Sequence, residues 1–202
     1  MKFNYIDYSE NIFKKAITND IDSSPKVYIF SDFPNKEKAG EYYNKPLLET
    51  QSLFLTISEL KEKLFLSDKL VLKEEKKAIL FYEILNKAEK DLLNINDYFD
   101  SIELSSRFFN FYSQLNEYNI ENLESHINLK EWQQERYQLF NNIRKRYISR
   151  LQEMGYTDLT LKYSIDNLNL HYLRKYEDIV FINKINFTPV EKEMISELEK
   201  SK

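Results

Sequence analysis

The sequence predicts an α/β fold: an open, mainly parallel sheet carrying a large all-helical insertion. Three observations point there. Residues 26–30 (KVYIF), 52–56 (SLFLT) and 178–182 (DIVFI) are continuous apolar runs of strand length, as expected of strands covered on both faces. Each is followed by a polar turn and then a helical pattern, the alternation that builds parallel sheets. Between the second and third runs, residues 66–172 contain no convincing strand but several long amphipathic patterns. The expected organisation is therefore a sheet-forming part over 1–65, a helical insertion over 66–174, and a returning strand and helix over 175–202. A fourth strand is expected over residues 2–8.

The helix starts are legible too. Thr56-Ile57-Ser58-Glu59 and Thr188-Pro189-Val190-Glu191 both fit the capping box, in which a hydroxyl and a carboxylate satisfy the free N–H groups of a first turn, and Pro189 suits the first helical position. Within the insertion three apolar stripes recur at helical spacing. The first is Ala78, Phe81, Tyr82, Leu85, Ala88 and Leu92. The second is Phe99, Ile102, Phe108, Phe109, Tyr112 and Leu115. The third is Leu129, Trp132, Phe140, Ile143, Tyr147, Leu151 and Met154, with Gly155 as its C-cap. Aromatic residues at this spacing read as core rather than as a ligand site.

Composition narrows the function classes. The 202 residues are 42% hydrophobic, enough for one domain, or a domain with an insertion, to build a core. With 29 basic against 33 acidic residues the net charge is −4, so attraction to nucleic acid or to an anionic membrane has to come from a local patch. The absence of cysteine removes disulfides, thiolate nucleophiles and zinc–thiolate sites. The N-terminus lacks the apolar run of a signal peptide and no segment approaches about 18 apolar residues, so a cytoplasmic protein with no membrane partner is expected. His126 and His171, both in polar surroundings, read as surface residues.

The chemistry of nucleotide sites is missing. A phosphate-cradling loop needs glycines to turn tightly and aim several N–H groups at one anion, and Gly40 and Gly155 lie in no such loop. The first turn, Asp7-Tyr8-Ser9-Glu10-Asn11, instead puts Glu10 near the place of the phosphates, with Lys14 and Lys15 inside the following helix. After the strand at 178–182, where Mg²⁺ and an attacking water would need carboxylates, stand Asn183 and Lys184. No nucleophile elbow, His-Glu-x-x-His pair or Ser-His-Asp set is present. Glu59-Leu60-Lys61 matches the short end of a two-carboxylate nuclease pattern, but it falls on a helix without a partnering strand Asp and reads as surface charge. No catalytic residue, cofactor or metal ligand is expected.

Four stretches, KVYIFSDFPNKEKAGEYY, PLLETQSLFLTISELKEKLF, LKEWQQERYQLFNNIRKRYISRLQEMGYTDLTLKY and above all EDIVFINKINFTPVEKEMISEL, carry a family likeness over almost the whole chain. Their order, sheet then helices then a strand with a Thr-Pro-x-Glu helix, is similar to the first core domain of superfamily 1 helicases. More closely, the chain resembles the N-terminal helicase-like region of the AddB-type subunit of bacterial AddAB helicase–nucleases. The resemblance implies a P-loop-helicase-like core, a role in DNA double-strand-break repair, and a helicase partner subunit of the AddA type. Some members of that family keep a P-loop near the N-terminus; this sequence departs from it at Tyr8 to Asn11, and Asn183 and Lys184 stand where an active helicase keeps its acidic pair. The implied role is a catalytically inactive scaffold, not an enzyme in itself. Since the family's nuclease domain lies far downstream, the resemblance implies either an N-terminal portion of a longer protein, the preferred expectation, or a reduced protein.

The best candidate DNA-contact residues are Arg136, Arg146 and Arg150, which fall within about an 80° arc of one helix at 100° per residue; Arg144 and Lys145 point elsewhere. Arginines bordering an apolar stripe also commonly pair with acids or lie over neighbouring side chains. A protein-interaction module without a DNA role is the alternative function, and an enzyme with a carboxylate–metal site comes third.

Overall fold

The computed structural model describes residues 6–7, 9–18, 25–42, 52–158, 165, 168–183 and 186–200. Along the chain run α1 (Ile12–Thr18), β1 (Lys26–Phe30), α2 (Phe33–Glu41), β2 (Leu53–Thr56), α3 (Ile57–Leu64), β3 (Leu70–Val71), α4 (Glu74–Ile84), α5 (Lys87–Leu92), α6 (Tyr98–Glu117), α7 (Glu131–Glu153), β4 (Tyr156–Thr157), β5 (Asp178–Ile182) and α8 (Pro189–Lys200). They divide into two compact units. A sheet unit comprises residues 1–66, 165–187 and 191–202, and a helical unit comprises 67–164 and 188–190. The protein is thus α/β, with small parallel sheets. Among the described residues no helix is long and apolar enough to cross a membrane.

In the sheet unit the three apolar runs pair as expected. The order is β2-β1-β5, all parallel, with Tyr28 opposite Phe54 on one side and Val180 on the other. Central β1 is covered on both faces, which is why it could be written as an unbroken apolar run. Tyr28 and Phe30 turn to one face and pack with Phe54, Ile182, Phe13 and Ile17 of α1, and Ala39 of α2. Val27 and Ile29 point to the opposite face by strand alternation and are fully buried, and α3 packs on β1 and β2. Of the strand expected over residues 2–8, residues 1–5 and 8 lie outside the described residues, and Ile6 and Asp7 form no strand.

In the helical unit the core is aromatic. The Phe81 ring of α4 meets Phe108 and Phe109 of α6 with centroids 5.0 and 6.2 Å apart, and Tyr147 of α7 stands edge-on to Phe109 at 5.1 Å. Beneath these rings lies a buried ion pair. Lys77 of α4 meets Asp158 at 2.9 Å, both side chains almost without solvent contact, and the Tyr147 hydroxyl donates to the other Asp158 oxygen at 3.0 Å. Glu74, mostly exposed, supplies a second carboxylate to Lys77 at 2.7 Å. Burial and the Asp158 charge together push the Tyr147 hydroxyl well above the usual phenol range, so it remains a donor. Asp158 follows β4, which pairs in parallel with β3. These two-residue strands are too short to leave a period in the sequence, and the strand-free reading of residues 66–172 is corrected accordingly.

All three stripes also need correction. The run from Ala78 to Leu92 is not one helix. Asn86 caps α5 through a reciprocal capping box with Glu89, which restarts the helical phase and leaves Leu92 exposed. Phe99, Ile102, Trp132 and Met154 are likewise exposed, at the ends of otherwise buried stripes. The chain has only two glycines, yet its helices stop cleanly. Gly155 takes φ +74° after α7, as expected, while Asn94 and Asn119 take φ 55° and 54° after α5 and α6. In both asparagine ends the next residue closes the turn, Ile95 N–H on the Lys90 carbonyl and Ile120 N–H on the Leu115 carbonyl, each at 2.8 Å. These are Schellman ends, with asparagine at the left-handed position usually held by glycine.

Asn119→Ala should therefore lower stability by about 1 kcal/mol, because a Cβ without a side-chain acceptor is penalised in the left-handed region. Asn119→Gly should be neutral or slightly stabilising. Urea denaturation of both variants checks the pair, and equal losses in both would contradict the assignment.

Candidate functional site

In open α/β sheets ligands bind outside the carboxyl ends of the strands, where helix N-termini offer free N–H groups. Here the helix starts after β1 and β2 are capped by the chain's own side chains. After β1, Asp32 caps α2 by accepting the Asn35 N–H at 2.9 Å, and its second oxygen takes the Ser31 hydroxyl and the Asn35 amide. After β2, Thr56 caps α3. Its hydroxyl accepts the Glu59 N–H at 3.2 Å, and the Glu59 carboxylate returns the bond to the Thr56 N–H at 2.7 Å, completing the predicted capping box. Lys36 of α2 then donates to both Glu59 oxygens at 2.8 Å. After β5, Asn183 takes a left-handed φ of 55° and is exposed; Lys184 lies outside the described residues.

Three further carboxylates are engaged by the chain itself. Glu191 of α8, expected to cap its own helix, forms a buried ion pair with Lys61 of α3 at 3.1 Å. Lys61 is therefore a core residue, not surface charge: Glu59-Leu60-Lys61 spends both of its charges on the fold. Before α1, Asp7 accepts the Ser9 N–H and hydroxyl at 2.9 and 2.6 Å, and Glu10 pairs with Lys15. The Asp7 carboxyl is held below the usual range by those Ser9 bonds. The turn before α1 thus presents two carboxylates. His126 and His171 are both exposed, and no group of three or more carboxylates and histidines among the described residues is close enough to hold a metal ion.

The three candidate DNA-contact arginines, all on α7, differ in what holds them. Arg146 reaches α5 and donates to both oxygens of Glu89 at 2.6 Å, on the same carboxylate that completes the α5 capping box. Arg150 pairs with Glu153 at 2.9 Å in an exposed contact one turn away, which leaves it accessible. Arg136 is exposed and makes no hydrogen bond or ion pair with any described residue. Neighbouring Arg144 lies over the Tyr112 ring at 4.8 Å.

Arg136 borders a feature that the stripes did not reveal. Between α6 and the first half of α7 runs an open groove of about 460 Å³, walled by Leu104, Phe108, Phe111, Trp132 and Phe140 among others, with Arg107, Gln133 and Arg136 among its polar residues. Trp132 remains 60% exposed there. Its place in an apolar stripe read as core; a wide-open indole one helical turn before an arginine, Trp132 and Arg136, was the available signal. The chain matches no protein-family model, and no curated protein is significantly similar to it.

Glu59 allows a test of the closed strand ends. Burial pushes its carboxyl up, but Lys36 and the Thr56 N–H outweigh this and hold it below the ordinary 4.5. A carboxyl with a depressed folded-state pKa contributes stability that is present above the unfolded value and is lost as the pH falls through the folded one. The stability gap between the protein and its Glu59→Gln variant should accordingly be largest near pH 7 and shrink below about pH 4.5. Urea midpoints measured from pH 7 to pH 3 check this, and a gap independent of pH would contradict it.

Proposed function

We propose that the chain is a catalytically inactive helicase-like domain of a DNA double-strand-break repair helicase–nuclease subunit of the AddB type. In this reading it acts as a scaffold beside an AddA-type helicase partner and touches DNA through the exposed arginines of α7. The observation that carries the inactive part is the occupation of the strand ends: Asp32 and Glu59 sit at the helix starts where a nucleotide's phosphates would be received, and Lys36 is engaged by Glu59. A triphosphate there would face carboxylates, and no acidic pair follows β5 for its Mg²⁺. The DNA part is supported by the family resemblance and by the accessibility of Arg136 and Arg150. Arg146, bound to Glu89, serves the fold.

Titration calorimetry with Mg-ATP should give no saturable heat at millimolar ligand; micromolar binding would overturn the inactive assignment. For DNA, fluorescence anisotropy should report weak binding that falls steeply with salt. Arg136→Gln with Arg150→Gln should reduce the slope of log affinity against log salt by about 2, since each phosphate contact accounts for about 0.9. Arg146→Gln should instead lower the melting temperature. No binding at low salt would end the DNA assignment.

A second reading, a protein-interaction module without a DNA role, is favoured by the open apolar groove of the helical unit.

A further inference from the structure

The groove between α6 and α7 is apolar along its walls, and its arginines are not equivalent. Arg107 is paired with Glu103 one turn away on α6. Arg136 has no partner among the described residues, although exposed acids, Glu131 and Glu135, lie on its own helix. An unneutralised guanidinium beside an exposed indole and the half-buried rings of Phe111 and Phe140 is complementary to a ligand that is apolar along one side and carries one carboxylate.

The walls also restrict the form of that ligand. Both are helices, whose backbone N–H and C=O groups are spent internally, so the groove offers side chains but no free strand edge. A helix lying in it satisfies its own backbone, whereas an extended peptide would find no strand to pair with and would leave its backbone to water. Its volume suits a few apolar side chains. Nucleic acid fits less well. A strand of phosphates would meet one unpaired arginine flanked by Glu103, Glu131 and Glu135, on a chain of net charge −4.

We infer that this groove docks an amphipathic helical segment of a partner protein, with two or three apolar side chains laid against Phe111, Trp132 and Phe140 and a carboxylate set on the Arg136 guanidinium. This rests on the interaction reading; at Arg136 it is an alternative to the DNA reading, whereas Arg150, which does not line the groove, belongs to the DNA reading alone.

The chain's single tryptophan is Trp132, so its emission reports on the groove directly. The test is selection of a phage-displayed library of 12-residue helical peptides against the intact chain, followed by titration of the enriched peptides. The expected result is enrichment of peptides with apolar residues at i, i+3 or i+4, and i+7 beside an Asp or Glu. They should bind with micromolar Kd, shift Trp132 emission to the blue, and lose at least about tenfold on Arg136→Gln, the loss of one charge-assisted bond. Arg150→Gln should leave peptide binding unchanged. Three results would overturn the inference. Enriched peptides indifferent to Arg136→Gln would keep an interaction surface but reject the acidic helical partner. An emission shift caused by (dT)20 and not by peptide would assign the groove to single-stranded nucleic acid. A dimer in sedimentation equilibrium that Trp132→Ser dissolves, with no peptide enriched, would assign it to a second copy of the chain.

Discussion

The helical unit is organised around one buried charge. Lys77 lies under the aromatic core with its ammonium on Asp158, and that carboxylate also takes the Tyr147 hydroxyl. Neither ion can be left alone in such surroundings, because an uncompensated buried charge destabilises a fold by several kcal/mol. The requirement joins α4 to a distant stretch of chain, α7 and the end of the β4 that follows it. It sets where β4 lies, and hence its short ladder with β3. The rings that meet at Phe109 are more permissive, since apolar contacts accept many arrangements, whereas this ion pair accepts few.

The same economy recurs in both units. Glu59 and Glu89 each complete a capping box and then receive a basic residue from another helix, Lys36 in one case and Arg146 in the other. A first-turn carboxylate is already favoured by the helix dipole, and the added cation fixes the neighbouring helix to that turn. Lys61 and Glu191 do the equivalent work between α3 and α8. These side chains, which could otherwise have received phosphate or metal, are committed to holding helices. Arg136 and the groove beside it stand outside that pattern.

Much of the sheet was legible because β1, β2 and β5 are apolar on both faces and need no periodicity to be recognised. The Thr56 capping box and the Gly155 helix end were legible from local chemistry alone. What escaped was set by tertiary contact. Asn86-x-x-Glu89 is as good a capping box as Thr56-x-x-Glu59, but it lies inside a continuing apolar stripe that masked the break. Asn94-Ile95 and Asn119-Ile120 end helices through asparagine, where a search for glycine finds nothing. The burial of Lys61 and Lys77 could not be read at all, since nothing local marks a lysine whose acid is supplied by a distant segment. Of the candidate arginines, spacing placed all three on one side of α7; only their neighbours distinguish Arg146, which is bound, from Arg136, which is not.

The central claim, that the buried charges hold the fold, is tested most directly at Lys77. Urea denaturation of Lys77→Met should show a loss of about 3–5 kcal/mol, since Asp158 would be left buried without its cation. The combined variant Lys77→Met, Asp158→Leu, Tyr147→Phe should recover most of that loss, because an apolar replacement of the whole group leaves no charge uncompensated. A Lys77→Met variant as stable as the unmodified protein would contradict the account.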